Sequence, residues 1–122
     1  MPCIVIIDDD EDLRPMLRRA LEKSGFEALS AADGWEGLEL IRTNPVDLVV
    51  TDLIMPEMEG IELILQLRQS HPGLKIIAMS GGGRMMPGNY LAAAKACGAV
   101  EILEKPFTLQ EFLERVAALT GP

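Results

Sequence analysis

The chain has 122 residues, enough for one domain around a single core and too few for two, and its 48% hydrophobic and 25% charged residues are an ordinary globular composition. No apolar stretch approaches the roughly 20 residues that cross a bilayer, and the start Met1-Pro2-Cys3 has neither a basic n-region nor a cleavage site. The expectation is therefore one soluble, cytoplasmic domain over residues 1–122, without a membrane partner. A net charge of −8 argues against direct nucleic acid binding, which needs a Lys/Arg stripe to displace counterions.

In chain order, short β-like runs alternate with longer segments of helical period. Strands are expected at residues 3–7, 26–30, 47–51, 75–79 and 100–103, and helices at 13–24, 34–42, 61–70, 89–97 and 109–119. Five βα units in alternation imply a parallel sheet with helices on both faces. The first, third and fourth runs are almost continuously apolar, as strands covered on both sides are. The second and fifth carry polar residues suited to edges. A doubly wound order 2-1-3-4-5, the flavodoxin-like arrangement, satisfies both.

Punctuation along the chain fits this plan. Pro15 is tolerable only in the first turn of its helix, which places the start near Asp12 and leaves residues 8–11 as a short acidic loop. Asp33 to Glu36 and Thr108 to Glu111 both fit a capping box. Cys3 and Cys97 lack a CxxC or a nearby His, so they read as reduced, largely buried thiols. His71 falls in a polar turn and reads as exposed, and Trp35, in the second helix, reads as a packing residue.

The chemistry gathers at the strand ends. Asp8 and Asp9 follow the first run, Asp52 the third, Ser80 the fourth and Lys105 the fifth. In an open parallel sheet these ends emerge on one edge, and the switch point of the 2-1-3-4-5 order lies between strands one and three, where Asp9 and Asp52 meet. Three close carboxylates repel unless a cation separates them, and Mg²⁺ suits all-oxygen ligands completed by a phosphate. The pocket reads as a magnesium-dependent phosphoryl site. Plainer readings stand beside this one. Asp10, Glu11 and Asp12 fit a solvated turn at a helix start. Lys105 taken alone is a surface lysine before Pro106, and Ser80-Gly81-Gly82-Gly83 taken alone is a flexible turn. That Gly run is not a P-loop, because the Lys-Ser/Thr pair is missing.

Taken in order, Ile7-Asp8-Asp9, Val50-Thr51-Asp52 with Met55-Pro56 and Gly60, Met79-Ser80, Gly98-Ala99 and Lys105-Pro106-Phe107 run along nearly the entire chain. With them the sequence resembles the receiver domain of bacterial two-component response regulators, and is similar to the family's single-domain chemotaxis members. The resemblance implies that Asp52 accepts a phosphoryl group from a sensor histidine kinase, a phosphotransfer protein or a small donor such as acetyl phosphate. It implies Mg²⁺ held by Asp9, Asp52 and the backbone carbonyl of Ile54, with Asp8 holding a coordinated water. It further implies that Lys105 neutralises the phosphoryl oxygens, that Ser80 moves to bond the aspartyl phosphate, and that the Lys105-Pro106 bond is cis. The output is a downstream protein partner, or an effector domain outside these residues, read through the 89–119 face. Such a protein is a monomer or a weak phosphorylation-dependent dimer, and a self-catalysing phosphoacceptor rather than an enzyme.

Two departures from the family pattern bear on the switch. Ile102 stands where receivers usually place an aromatic residue on the fifth strand, so rotation of a ring is not the readout here. The segment from Ser80 to Gly98 is a few residues longer than usual, and its 81–88 loop, with Met85 and Met86 expected exposed, is a candidate partner surface. Ile54, which cannot orient an attacking water, points to a long phosphoryl lifetime, while small Gly82 leaves access. Two other classes compete: a receiver that docks without phosphorylation, and an aspartyl-phosphate phosphatase of the haloacid dehalogenase type. The latter would use Asp8 to Asp10 as a DxD, but the chain has no room for a cap.

Overall fold

The computed structural model describes residues 1–53, 58, 60–81 and 90–120, with Tyr90 and Leu91 described through the backbone alone. Within them the elements run β1 (Cys3–Ile7), α1 (Leu13–Lys23), β2 (Glu27–Ala31), α2 (Gly34–Thr43), β3 (Leu48–Asp52), α3 (Gly60–Ser70), β4 (Lys75–Gly81), α4 (Tyr90–Cys97), β5 (Glu101–Lys105) and α5 (Leu109–Thr120). All four strand pairings are parallel and the order is β2-β1-β3-β4-β5. The expected fold and both expected edges are present. β1 and β3 are buried at every position, whereas β2 and β5 mix buried with open positions.

The sheet divides two cores. Val5, Ile7, Val49 and Ala78 pack against α2, α3 and α4 through Ile41, Leu63, Ile64, Leu67 and Ala94. Ile4, Ile6, Val50, Ile77 and Met79 pack against α1 and α5 through Leu17, Leu21, Phe112 and Val116. This is the period of two expected of strands covered on both faces.

Local signals account for the helix boundaries. In α1, Pro15 sits in the first turn, where a missing N–H costs nothing. Thr108 Oγ1 accepts from the Glu111 N–H at 3.0 Å and Asp33 Oδ1 from the Glu36 N–H at 2.8 Å, forming the expected caps of α5 and α2. At α5 the Glu111 carboxylate meets the Thr108 hydroxyl, at 3.5 Å.

Two sequence expectations are corrected. Trp35 does not pack: it is 57% exposed. The buried face of α2 is Gly34, Gly37 and Ile41, and a Cβ at Gly37 would collide with the Ile7 side chain. The helix therefore lies against the sheet on its glycines, which turns Trp35 outward. His71 is half-buried rather than exposed, and its Nδ1 lies 2.8 Å from Ser70 Oγ. Cys3 is buried and Cys97 half-buried, both unpaired thiols as expected. Burial pushes the Cys3 thiol up to about 11, with Glu27 and Asp47 adding to the shift.

Candidate functional site at the strand ends

Three strands deliver the charged groups. β1 continues its ladder past Ile7, with the Asp8 N–H donating to the Ala31 carbonyl at 3.1 Å, so Asp8 leaves the sheet fully buried, at 0% exposure. β3 carries Asp52 in register with Met79, and the ladder runs one step further through the Leu53 N–H to the Met79 carbonyl at 3.1 Å. β5 ends at Lys105, paired with Gly81. Sequence reading ended β3 and β5 before these polar residues. The backbone ladder includes them because hydrogen bonding in a parallel sheet does not depend on side-chain polarity.

Lys105 Nζ donates to Asp8 Oδ2 at 3.0 Å and lies 3.4 Å from Asp52 Oδ2. Its side chain is 13% exposed, against 0% for Asp8 and 10% for Asp52. Burial works to lower the ammonium's pKa, but the hydrogen bond and charge of Asp8, together with Asp52, outweigh it and hold the pKa above its usual value. Lys105 is firmly a cation. Asp9, half-buried, completes the group: Asp8, Asp9 and Asp52 each offer a carboxylate oxygen, all within 4.8 Å of one another.

The supports behind these groups are specific. The Lys105-Pro106 peptide is cis, and Phe107 stacks on buried Phe112 with ring centroids 6.0 Å apart, which fastens the turn after β5 to α5. After Asp52, the Gly60 N–H donates to the Leu53 carbonyl at 2.8 Å. A Cβ at Gly60 would lie 2.5 Å from the Asp52 carbonyl oxygen, so only glycine permits α3 to begin that close to the site. Asp10 is more than a solvated acid. Its Oδ1 accepts from the N–H groups of Asp12 and Leu13, at 2.8 and 3.0 Å, and these bonds to Leu13 and Asp12 lower its pKa.

Ser80 is buried, at 3% exposure, at the end of β4 and in register with Glu104. Side chains alternate along a strand, so Ser80 starts on the opposite face of the sheet from Met79 and its partner Asp52, on the side of α3 and α4. The structure thus groups Asp8, Asp9, Asp52 and Lys105 closely and sets Ser80 one step further along the neighbouring strand. Ile54, Met55, Pro56, Gly82 and the rest of the 82–88 loop lie outside the described residues. Ile102 is half-buried on β5, opposite Ala78. No helix among the described residues is long and apolar enough to cross a membrane.

One residue that contacts the site escaped sequence reading. Arg14 Nη1 donates to the Asp8 carbonyl oxygen at 2.8 Å and Nη2 to Glu11 Oε2 at 2.7 Å, from a side chain only 15% exposed. An arginine in the first turn of a helix, where acids are the favoured charge, was the available signal.

Comparison with known proteins agrees with this geometry. The model of the response regulator receiver domain family matches residues 4–117. The response regulator MprA of Mycobacterium sp. (strain KMS) is 38% identical over 116 residues, covering 95% of this chain and 49% of that protein. The chain spans about half the length of the curated relatives it matches. Among solved structures, a CheY-like receiver domain protein from Methanospirillum hungatei JF-1 superposes with a TM-score of 0.90 at 29% identity, covering 97% of this chain and 92% of that one. The chemotaxis protein CheY4 of Vibrio cholerae gives 0.88 at 26% identity, with 98% of both chains covered. With the family model spanning almost all of the sequence and the acidic cluster and lysine gathered at its strand ends, the chain belongs to the receiver domain family of two-component response regulators.

Proposed function

We propose that residues 1–122 form one receiver domain in which Asp52 is the phosphoacceptor of a Mg²⁺-dependent transfer from a sensor histidine kinase or phosphotransfer protein. The observation that carries this reading is the single ammonium of Lys105 shared between the carboxylates of Asp8 and Asp52 at the strand ends. Asp8, Asp9 and Asp52 bring three hard oxygen donors within 4.8 Å of one another, a donor set that suits a divalent cation. Asp8, Asp9 and Asp52, with the backbone carbonyl of Ile54, would hold it. Bound there, Mg²⁺ supplies Lewis-acid neutralisation of phosphoryl oxygens.

The chain's own groups then have distinct tasks. A carboxylate oxygen of Asp52 attacks the donor phosphorus in line while the bond to the leaving imidazole, or to the acetate of acetyl phosphate, breaks and the electron pair departs with that group. Lys105 has its ammonium beside the acceptor carboxylate, so charge developing on the phosphoryl oxygens meets a prepositioned cation. The hydroxyl of Ser80 donates to an oxygen of the aspartyl phosphate, pulling the end of β4 toward the site. Attack of water on phosphorus later breaks the same P–O bond, returning Asp52 and inorganic phosphate. The output reading is a downstream protein docked on the 89–119 face. It is supported by a hollow of about 480 Å³ between α4, β5 and α5, lined by Ala92, Ile102 and Leu103 and bordered by Lys95, Glu104, Glu111 and Arg115.

Incubation with acetyl phosphate and MgCl₂, followed by intact mass, tests the reading. The expected result is the gain of one phosphoryl group, abolished in Asp52→Asn and by EDTA. A gain that persists in Asp52→Asn overturns it. Turnover of an exogenous phosphate ester lost in Asp8→Asn but not in Asp52→Asn would instead mark a phosphatase.

A further inference from the structure

We propose that Arg14 is a positioning residue for the acidic pocket, holding the peptide that joins Asp8 to Asp9 so that both carboxylates converge with Asp52. The inference rests on the reading of that pocket as the Mg²⁺ site. The Asp8 carbonyl oxygen, to which Arg14 Nη1 donates at 2.8 Å, belongs to the same peptide plane as the Asp9 nitrogen. Fixing that oxygen fixes the direction in which the chain leaves for Asp9.

The remaining bonds make this hold rigid. Asp8 Oδ1 accepts from the Asp10 N–H at 3.0 Å, and the Arg14 N–H donates back to the Asp10 carbonyl at 3.1 Å. Asp10 Oδ1 ties Asp12 and Leu13 into the helix start. Arg14 therefore closes a ring of contacts from the first turn of α1 to the end of β1. Arginine is required because its planar fork reaches the Asp8 carbonyl and the Glu11 carboxylate together, which a lysine ammonium at the end of a flexible stem does not reproduce.

Charge alone would give the opposite effect. A guanidinium near three carboxylates opposes the arrival of a second cation, so its removal by itself would tighten Mg²⁺ binding. Glu11 largely balances that charge, with the two groups 2.7 Å apart. Arg14→Lys keeps the charge and loses the fork, so it isolates the geometric contribution. Arg18→Lys, one turn further along α1 and paired with Glu22 rather than with the loop, is the control.

Two readouts on the unphosphorylated full chain decide the matter: amide hydrogen exchange at Asp10 and Asp12 without metal, and titration with MgCl₂ by calorimetry. In Arg14→Lys the loop amides should exchange faster, and Mg²⁺ should bind about tenfold more weakly, the low end of the loss seen when a partner behind a metal ligand is removed. Arg18→Lys should change neither. Unchanged exchange overturns the proposal, and so does faster exchange with unchanged Mg²⁺ affinity, which would leave Arg14 a purely structural residue. If the unaltered protein binds no Mg²⁺, the pocket reading fails by itself, and the exchange result still decides whether Arg14 holds the loop.

Discussion

The two ends of this sheet are built from the same strands and treat charge in opposite ways. At the end where the strands begin, Asp47 accepts from the Cys3 N–H at 2.8 Å and Lys75 donates to the Leu119 carbonyl at 3.0 Å, and both residues are exposed. Water screens each of them, and each makes its bond at little cost. At the other end lie Asp8, Thr51, Asp52 and Ser80, all the buried polar residues among those described, with Lys105 inserted between two of the carboxylates. Burying charge is expensive unless it is paired. Among the described residues that burial falls at one end, which supports placing the proposed chemistry there.

The largest effect expected from this contrast comes from removing one lysine at each end. Lys105→Met leaves the buried carboxylates of Asp8 and Asp52 without their shared cation and should destabilise the fold by about 3 kcal/mol at neutral pH. Lys75→Met, losing an exposed bond to a helix-end carbonyl, should cost roughly 0.5 kcal/mol. Urea denaturation of both variants measures the difference. Equal losses would mean that the two ends are electrostatically alike and that the argument from burial is wrong.

A smaller effect separates the glycines of the two ends. Gly60→Ala would set a methyl group 2.5 Å from the Asp52 carbonyl oxygen and 2.6 Å from Leu53 Cα, both backbone atoms that side-chain rotation cannot clear. Overpacking of this kind costs about 2 kcal/mol, and here the displaced atoms adjoin the proposed phosphoacceptor, so phosphorylation by acetyl phosphate should slow as well. Gly73, in the turn before β4, has no atom within 4 Å of an added Cβ. Gly73→Ala should leave stability within about 1 kcal/mol of the starting protein and the phosphorylation rate unchanged. A Gly60→Ala protein that is both stable and fully active would show that the backbone at Asp52 and Leu53 has slack that this packing denies.

Much of the architecture was legible because burial writes itself into composition. The uninterrupted apolar runs of β1 and β3 marked central strands, and Glu27 and Glu101 marked edges. The convergence of Asp8, Asp9, Asp52 and Lys105 followed from strand order alone, since parallel strands release their ends on one edge. What was not legible depended on distance rather than pattern. Trp35 was expected to pack from its place in the second helix, but the glycines beside it let α2 approach Ile7 so closely that the indole faces outward. Arg14 shares α1 with Arg18 and Arg19, and its bond to a backbone oxygen distinguishes it from Arg18. Backbone acceptors carry no letter in a sequence.

The smallest effect concerns Asp10, an exposed acid at the same end of the sheet as the buried ones. It contributes through the N–H groups of Leu13 and Asp12, whose bonds to its carboxylate lower its pKa. Asp10→Ala should cost about 1 kcal/mol, the usual loss on removing a helix-start cap. The sign of the pH dependence follows from the depressed folded pKa: the contribution is fully present above the ordinary aspartate value near 3.9 and is lost as pH falls through the lower value of the folded state. The stability difference between the original chain and Asp10→Ala should therefore be constant from about pH 5 to 8 and shrink in more acidic solution. Asp10→Asn keeps the capping oxygen without the charge, so it should retain most of the stability at neutral pH and lack the acid-dependent part. If Asp10→Ala and Asp10→Asn lose equally at pH 7, the charge rather than the cap carries the effect, and the exposed acids of this edge act through the field of α1 instead of through its first N–H groups.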